Sequence, residues 1–319
     1  MSRAAVLTEP AGPSGPGRLG LDLTRRRRPK EALIRGLLLL CGLVSVATTA
    51  GIVLSLIGEA VNFFRTVPLT EFLFTTRWSP SIAPKAFGVL PLLAGTMMIA
   101  AIAGLTGVPL GVCTAIYMSE YASPRVRRKL KPTLEILAGM PTVVLGYFAL
   151  TFVTQTVLWK IFGPERVAIF NALSAGLVVG IMIVPTIAPI SEDAMSAVPQ
   201  GLRQGAYALG SSRVTVAFRV VVPAAISGIM ASVVLGVSRA VGETMIVAIA
   251  AGQTPVLHAN PLQSIHTMTG YIVQVSLGDT PHHSIEYQSI FAIGMLLFVV
   301  TLLLNMVSRR LVRRFREVY

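Results

Sequence analysis

Apolar runs, each near the length that crosses a lipid bilayer, alternate with short polar segments along this chain. A spanning helix needs about 20 predominantly apolar residues. Only 13% of the 319 residues are charged, whereas a soluble domain carries roughly 25%. Because a helix satisfies its backbone hydrogen bonds within one segment, it is the usual way for such a run to cross lipid. The sequence therefore predicts an all-α, multi-pass membrane protein.

Six of these runs are long enough to cross. The predicted spans are residues 36–57, 90–120, 133–159, 167–190, 223–250 and 287–307. Pro109 lies inside the second run, which is too long for one straight crossing, and indicates a kinked, tilted helix rather than two crossings.

The basic residues set the expected orientation. They occur in blocks beside the apolar runs, whereas segment 252–286 contains no Lys or Arg. Basic blocks mark the cytoplasmic side of a membrane protein. Six spans place every strongly basic block and both termini in the cytoplasm. The net charge of +13 is thus explained by membrane orientation, and nucleic-acid binding is excluded.

Residues 1–32 are expected to form a disordered, basic cytoplasmic tail, and residues 33–319 the membrane domain. A basic run before an apolar stretch also begins a signal peptide. The stretch 36–57 exceeds a usual signal-peptide core and lacks a clear cleavage site, which favours an uncleaved first helix.

The polar loop 191–222, followed by Pro223, carries an unusual pattern. Residues 204–223 read QGAYALGSSRVTVAFRVVVP. Small residues at the start permit close backbone approach by a partner, and Gly210 permits the positive φ that ends a helix sharply. Pro223 fits the first turn of the next helix. The pattern predicts a short helix that docks onto another protein.

This pattern resembles the signature of permease subunits of ATP-binding-cassette (ABC) importers: Glu-Ala-Ala-x-x-x-Gly, nine residues, then Ile-x-Leu-Pro. The glycine falls on Gly210 and the proline on Pro223, whereas Gln204 and Gly205 replace the usual glutamate and first alanine. In that family the stretch is the coupling helix, which docks in a cleft of the ATPase subunit. The resemblance assigns ATPase docking to Gln204, Gly205, Ala206, Ala208, Leu209 and Gly210.

The chain has no phosphate-binding Walker A motif, because none of its five lysines follows a glycine. It is therefore not expected to be an enzyme or to hold a cofactor. ATP and Mg²⁺ would be bound by a separate ATPase chain.

Two ionisable residues, Arg239 and Glu243, lie deep in the predicted fifth span. An arginine there costs about 2.5–3.5 kcal/mol on insertion scales, so such a residue usually faces a pathway or a partner. The spacing of four predicts that the two side chains share a helix face and pair. One interpretation is a self-neutralising pair that fixes helix packing. The other is that Arg239 meets an anion crossing the membrane and Glu243 holds it when no anion is present.

The run 239–245, Arg-Ala-Val-Gly-Glu-Thr-Met, is similar to the phosphate importer permeases of the PstC type, as are segments 87–91 and 138–146. The resemblance covers about residues 35–310. Met245 and the residues after it favour the PstC over the sibling PstA type. The resemblance implies a type I importer (MetI-like) fold in the bacterial inner membrane, with Arg239 and Glu243 in the phosphate pathway.

The implied partners are a PstA-type permease, a dimer of ATPase subunits, an extracytoplasmic phosphate-binding protein and membrane lipid. An ABC permease for sulfate, molybdate or a small peptide remains an alternative. A secondary transporter or channel that needs no ATPase is a second alternative, against which the docking motif argues. The four histidines, His258, His266, His282 and His283, are expected at the surface rather than at a metal site.

Overall fold

The computed structural model describes residues 29–282 and 284–314, so residues 1–28 of the predicted tail lie outside the described residues. The described chain is almost entirely helical. Its helices are α1 (Pro29–Thr66), α2 (Leu69–Phe74), α3 (Leu90–Ile116), α4 (Pro124–Ala138), α5 (Thr142–Phe148), α6 (Trp159–Phe162), α7 (Ala172–Ser196), α8 (Gln200–Ala208), α9 (Arg213–Val216), α10 (Val222–Ala224), α11 (Ile226–Val241), α12 (Met245–Ala250), α13 (Met268–Leu277) and α14 (Ile285–Arg314). Strands β1 (Trp78–Ser79) and β2 (Ala86–Phe87) form a small antiparallel hairpin. Three π-helical segments occupy residues Tyr117–Tyr121, Ala149–Leu158 and Ala217–Val221.

The membrane-spanning helices agree with the six-span prediction. Five helices are long and apolar enough to cross a bilayer: Leu33–Thr66, Leu90–Tyr121, Thr142–Phe162, Ala172–Ser196 and Ile285–Ser308. A sixth candidate is the pair Arg213–Ala224 and Ile226–Val241, whose two parts are bent by 74° relative to each other. The second span is one helix through Pro109, as expected.

The third span differs from its prediction of 133–159. Residues 133–138 belong to the preceding amphipathic helix α4, and the span begins at Thr142. The segment Gly139–Pro141 separates the two helices, because Pro141 has no N–H to continue the helix and disfavours helical geometry in the residue before it. The block of basic residues before this span therefore lies on a helix, α4.

The fifth span also differs from its prediction as one helix over 223–250. It breaks at Ala225, two residues after Pro223, and again at Gly242–Thr244 before α12. The fourth span, by contrast, runs six residues beyond its predicted end at Ile190, to Ser196.

Helices α3, α7 and α11 pack closely because glycines leave room for isoleucine side chains of the facing helices. A Cβ on Gly111 or on Gly236 would lie within 3 Å of side-chain atoms of Ile187, and one on Gly176 would meet Ile102. Small residues permit this separation between membrane helices. Gly236 thus permits close approach of α7, whereas a Cβ on Gly242 would meet only carbonyls of its own helix.

The chain divides into two compact units, residues up to Ile52 and residues from Val53. Within the first unit, the part of α1 up to Ile52 exposes a continuous set of leucines and other apolar side chains, which suits contact with lipid. Within the second unit, an aromatic cluster joins the hairpin to neighbouring elements. Its members are Phe63, Phe72, Trp78, Phe87 and Tyr271.

Candidate functional site

The predicted docking helix is α8, which spans Gln200–Ala208. After it, Gly210 adopts a φ of +77°. The Gly210 N–H donates to the Tyr207 carbonyl at 2.9 Å, and the Ser211 N–H donates to the Ala206 carbonyl at 3.2 Å. These two bonds form a Schellman motif, which ends a helix with a left-handed residue. The role predicted for Gly210 in the backbone is confirmed.

The residues assigned to docking lie mostly at the surface of α8. Gln204, Gly205 and Ala208 are exposed, and Leu209 is 89% exposed. A Cβ on Gly205 would meet no atom within 4 Å, so the packing of the described chain does not require a glycine there. Ala206 is half-buried and packs toward the chain's own core. One face of α8 is therefore free for a partner, while the face that carries Ala206 packs against the chain's own core.

Arg203 attaches α8 to the membrane-spanning helices. It is the only charged residue in α8 and it is buried. Its guanidinium donates to the carbonyls of Val198 at 2.6 Å and Met195 at 2.8 Å, and to the Glu120 carboxylate at 3.0 Å. Charge-assisted hydrogen bonds of this kind are among the strongest in proteins. The sequence interpretation missed this role, although a lone charge in an otherwise uncharged helix was a signal that could have indicated it.

A second set of ion pairs holds α4 against the end of α7. Arg127 pairs with Glu192, which is fully buried, and Lys131 lies 2.8 Å from Glu192 and 2.9 Å from Asp193. The hydrogen bonds to Glu192 and then Asp193 raise the pKa of Lys131 above its ordinary value. Glu192 and Asp193, near the end of α7, therefore bind the neighbouring basic helix α4.

Glu243 lies in the break after α11 and caps the short helix α12. Its carboxylate accepts hydrogen bonds from the N–H groups of Met245 at 3.1 Å and Ile246 at 3.2 Å. The Thr269 hydroxyl donates to the Glu243 carbonyl at 2.8 Å. A carboxylate at a helix N-terminus satisfies free N–H groups and interacts favourably with the helix dipole. Glu243 is thus a buried residue that positions the break.

Arg239 lies on an exposed face of α11, where its guanidinium donates to the Thr186 hydroxyl at 3.0 Å. Among the described residues, its guanidinium forms no ion pair with the Glu243 carboxylate. The predicted pairing is wrong because α11 ends at Val241, so the two residues do not share a helix. The structure brings both into the fifth span but gives them separate partners.

The external histidines are not all at the surface. His282 is exposed and His258 is half-buried, but His266 is only 3% exposed, so the surface prediction is wrong for that residue. His283 lies outside the described residues. Within the described ranges, no three His, Cys, Asp or Glu side chains are close enough to hold a metal ion.

Comparison with protein families matches residues 107–317 to the family described as binding-protein-dependent transport system inner membrane component. The match includes α8 and the whole fifth span.

Individual relatives cover most of the chain. The probable ABC transporter permease protein YqgH of Bacillus subtilis is 33% identical over 91% of this chain and 93% of that protein. The phosphate transport system permease protein PstC of Mesorhizobium japonicum is 30% identical over 90% of this chain and 94% of that protein. The protein PstC 1 of Mycobacterium tuberculosis is 36% identical over 72% of this chain and 73% of that protein.

Solved structures share the fold at lower identity. A bacterial alginate ABC transporter, in complex with an alginate pentasaccharide-bound periplasmic protein, is similar with a TM-score of 0.62 and 15% identity, over 89% of this chain and 96% of that one. An inward-facing form of the MetNI methionine ABC transporter has a TM-score of 0.55 and 16% identity, over 72% of this chain and 98% of that one. The expected MetI-like importer permease fold is confirmed.

Proposed function

This chain belongs to the family of binding-protein-dependent transport system inner membrane components, and from that membership we propose that it is a permease subunit of an ATP-driven importer for inorganic phosphate. The observation that carries the proposal is the exposed helix α8, ended by Gly210 and tied to the spans by Arg203. The substrate follows from relatives at 30–36% identity whose names specify phosphate transport.

The chain would form one half of the pathway, with a homologous PstA-type permease as the other half. ATP and Mg²⁺ would bind to a separate dimer of ATPase subunits, since this sequence lacks a Walker A motif. ATPase closure would move α8, and the buried Arg203 contacts would pass that movement to the ends of the second and fourth spans. A phosphate-binding protein outside the bacterial inner membrane would deliver the substrate.

The surroundings of Arg239 support a role in the anion pathway rather than a self-neutralising packing pair. The guanidinium is exposed on α11, and its described hydrogen bond is to a neutral hydroxyl, that of Thr186. Because Glu243 is engaged with the α12 backbone, it does not compensate this charge. A guanidinium presents five N–H donors, a pattern that suits a tetrahedral oxyanion.

The role of Glu243 would differ from the one predicted from the sequence, which was to hold Arg239 when no anion is present. We assign it the role of a positioning residue that holds the break between α11 and α12, two residues after α11 ends. Because of this break, Arg239 on α11 and the residues of α12 lie on separate helices. Discontinuous membrane helices with buried irregular backbone are typical of transport pathways.

The proposal is tested by reconstituting the chain with its second permease, ATPase and phosphate-binding protein in proteoliposomes. We expect phosphate uptake that requires ATP and every component. Equal or faster uptake of sulfate or molybdate would establish one of the alternative substrates. Uptake by this chain without the ATPase would establish the secondary-transporter alternative instead.

A further inference from the structure

Thr186 lies beside Arg239 where α7 packs against α11. It is half-buried and near the middle of α7, which has 25 residues. The Arg239 guanidinium donates to its hydroxyl at 3.0 Å. Farther along the same two helices, the buried hydroxyls of Ser191 and Ser232 form a hydrogen bond of 2.6 Å. The position of Thr186 relative to Arg239 is therefore fixed by the packing of two spans.

The Thr186 hydroxyl is oriented differently from those of several other threonines in the spans. Thr114, Thr151 and Thr301 each donate to the carbonyl four residues earlier, a common arrangement for a threonine in a helix. Among the described residues, the Thr186 hydroxyl donates to no carbonyl, and its one hydrogen bond is the one that it accepts from Arg239. Because a hydroxyl can accept and donate at the same time, its proton is left for a ligand.

Two prolines interrupt the backbone hydrogen bonds of α7 around Thr186. Pro185 and Pro189 lie inside the helix and have no N–H, so the carbonyls of Ile181 and Pro185 lose their usual helical donors. Within a membrane, such backbone groups are tolerated where neighbouring groups satisfy them or where they line a water-filled cavity. This part of α7 therefore suits the wall of an aqueous pathway.

The charge beside Thr186 favours an anion. Among the described residues, Arg239 forms no ion pair. One of the five N–H donors of its guanidinium is used by Thr186. A guanidinium binds two oxygens of an oxyanion at once, and a tetrahedral oxyanion has further oxygens for which a neighbouring O–H supplies a donor. Arg239 and Thr186 together thus offer more to such an anion than the guanidinium alone.

We propose that Thr186 is a phosphate-binding residue of the pathway, whose hydroxyl accepts from Arg239 and donates to a phosphate oxygen. The fourth and fifth spans would each contribute one group to the anion site. The inference rests on the proposed function, which supplies phosphate as the anion. The role depends on the hydroxyl and not on the size of the side chain, so two substitutions of Thr186 separate the possibilities.

Thr186→Val replaces the hydroxyl with a methyl group of similar size, whereas Thr186→Ser keeps the hydroxyl. In the reconstituted importer, one measures phosphate uptake per ATP hydrolysed at a saturating concentration of loaded binding protein. We expect Thr186→Val to lower this ratio about tenfold, since hydrogen bonds to charged groups contribute more than those between neutral groups. Thr186→Ser should keep about half of the ratio or more. The matched control is Thr151→Val, which removes a half-buried hydroxyl that donates within its own helix and should change the ratio less than about twofold.

A double substitution tests whether Thr186 acts together with Arg239. If both bind the same anion, adding Thr186→Val to Arg239→Lys should reduce uptake by less than about threefold, because effects within one hydrogen-bond network are not additive. A full further loss of about tenfold would overturn the proposal, as would equal losses in Thr186→Val and Thr186→Ser. If the wild-type complex imports no phosphate, the proposed function itself fails. Normal wild-type import with an unaffected Thr186→Val overturns only the role of Thr186.

Discussion

The Arg203 guanidinium donates to the Glu120 carboxylate at 3.0 Å and so joins the docking helix to the end of the second span, 83 residues earlier in the chain. Both side chains are largely buried, with exposed fractions of 10% and 6%. A buried ion pair fixes the position of the elements that carry it, and removing one partner is strongly destabilising because it leaves an uncompensated charge.

Arg203→Ala should uncouple ATP hydrolysis from transport. The loss removes three hydrogen bonds, so α8 can move without moving the ends of the second and fourth spans. We expect ATPase activity to persist while phosphate uptake per ATP falls tenfold or more. Arg203→Lys, which keeps the charge but not the planar set of donors, should recover part of the coupling. Normal uptake per ATP in a correctly assembled Arg203→Ala complex would contradict this role.

Gly210→Val should weaken ATPase docking, because a β-branched residue is strongly disfavoured at a φ of +77°. The Schellman motif would open and the exposed face of α8 would lose its orientation. Gly163→Val is the matched control: Gly163 has a φ of +85° in a predicted external loop, also with open space around it. We expect co-purification of the ATPase to fall severalfold only for Gly210→Val. Equal losses in both variants would indicate general backbone strain rather than docking.

Gly210 and Arg203 illustrate what could and could not be predicted from the sequence. The number of spans, α8 and the positive φ of Gly210 depend on local composition and spacing, and they were predicted correctly, whereas the start of the third span and the breaks in the fifth were not. The Arg203–Glu120 pair was not, because it joins segments that are distant along the chain. The pairing of Arg239 with Glu243 assumed a continuous helix, and this assumption failed where Gly242 and the capping carboxylate of Glu243 break the span.

Arg239→Gln should abolish phosphate uptake while leaving the complex assembled. Glutamine keeps hydrogen-bonding capacity toward Thr186 but removes the positive charge that an anion requires. Arg239→Lys should keep partial uptake with a higher apparent KM, since an ammonium retains charge without the fork of donors. Radiolabelled phosphate uptake into proteoliposomes measures both. Wild-type uptake by the Arg239→Gln variant would show that Arg239 is not part of the phosphate pathway.

Low pH should destabilise the segment around His266. Its pKa in the folded protein is lowered to about 4, whereas the unfolded chain titrates near 6.5. The unfolded state therefore binds more protons below pH 6.5, so stability is complete above that pH and falls as pH decreases toward 4. The full loss is about 3 kcal/mol for this shift. The thermal unfolding midpoint of wild type should fall between pH 7 and pH 5 by more than that of His266→Gln, and equal decreases would contradict the assignment.

Substitutions of Glu243 distinguish a helix cap from a counter-ion for Arg239. Glu243→Gln keeps an oxygen that can accept from the Met245 and Ile246 N–H groups, but it has no charge. Glu243→Ala removes both the acceptor and the charge, and the loss of a cap costs about 0.5–2 kcal/mol. If the carboxylate acts as a cap, Glu243→Gln should retain most stability and at least partial uptake, whereas Glu243→Ala should lose both. If it balances Arg239, the two variants should be equally impaired. Thermal stability of the purified complex, measured beside uptake, separates these outcomes, and the hydrogen bonds to α12 favour the first.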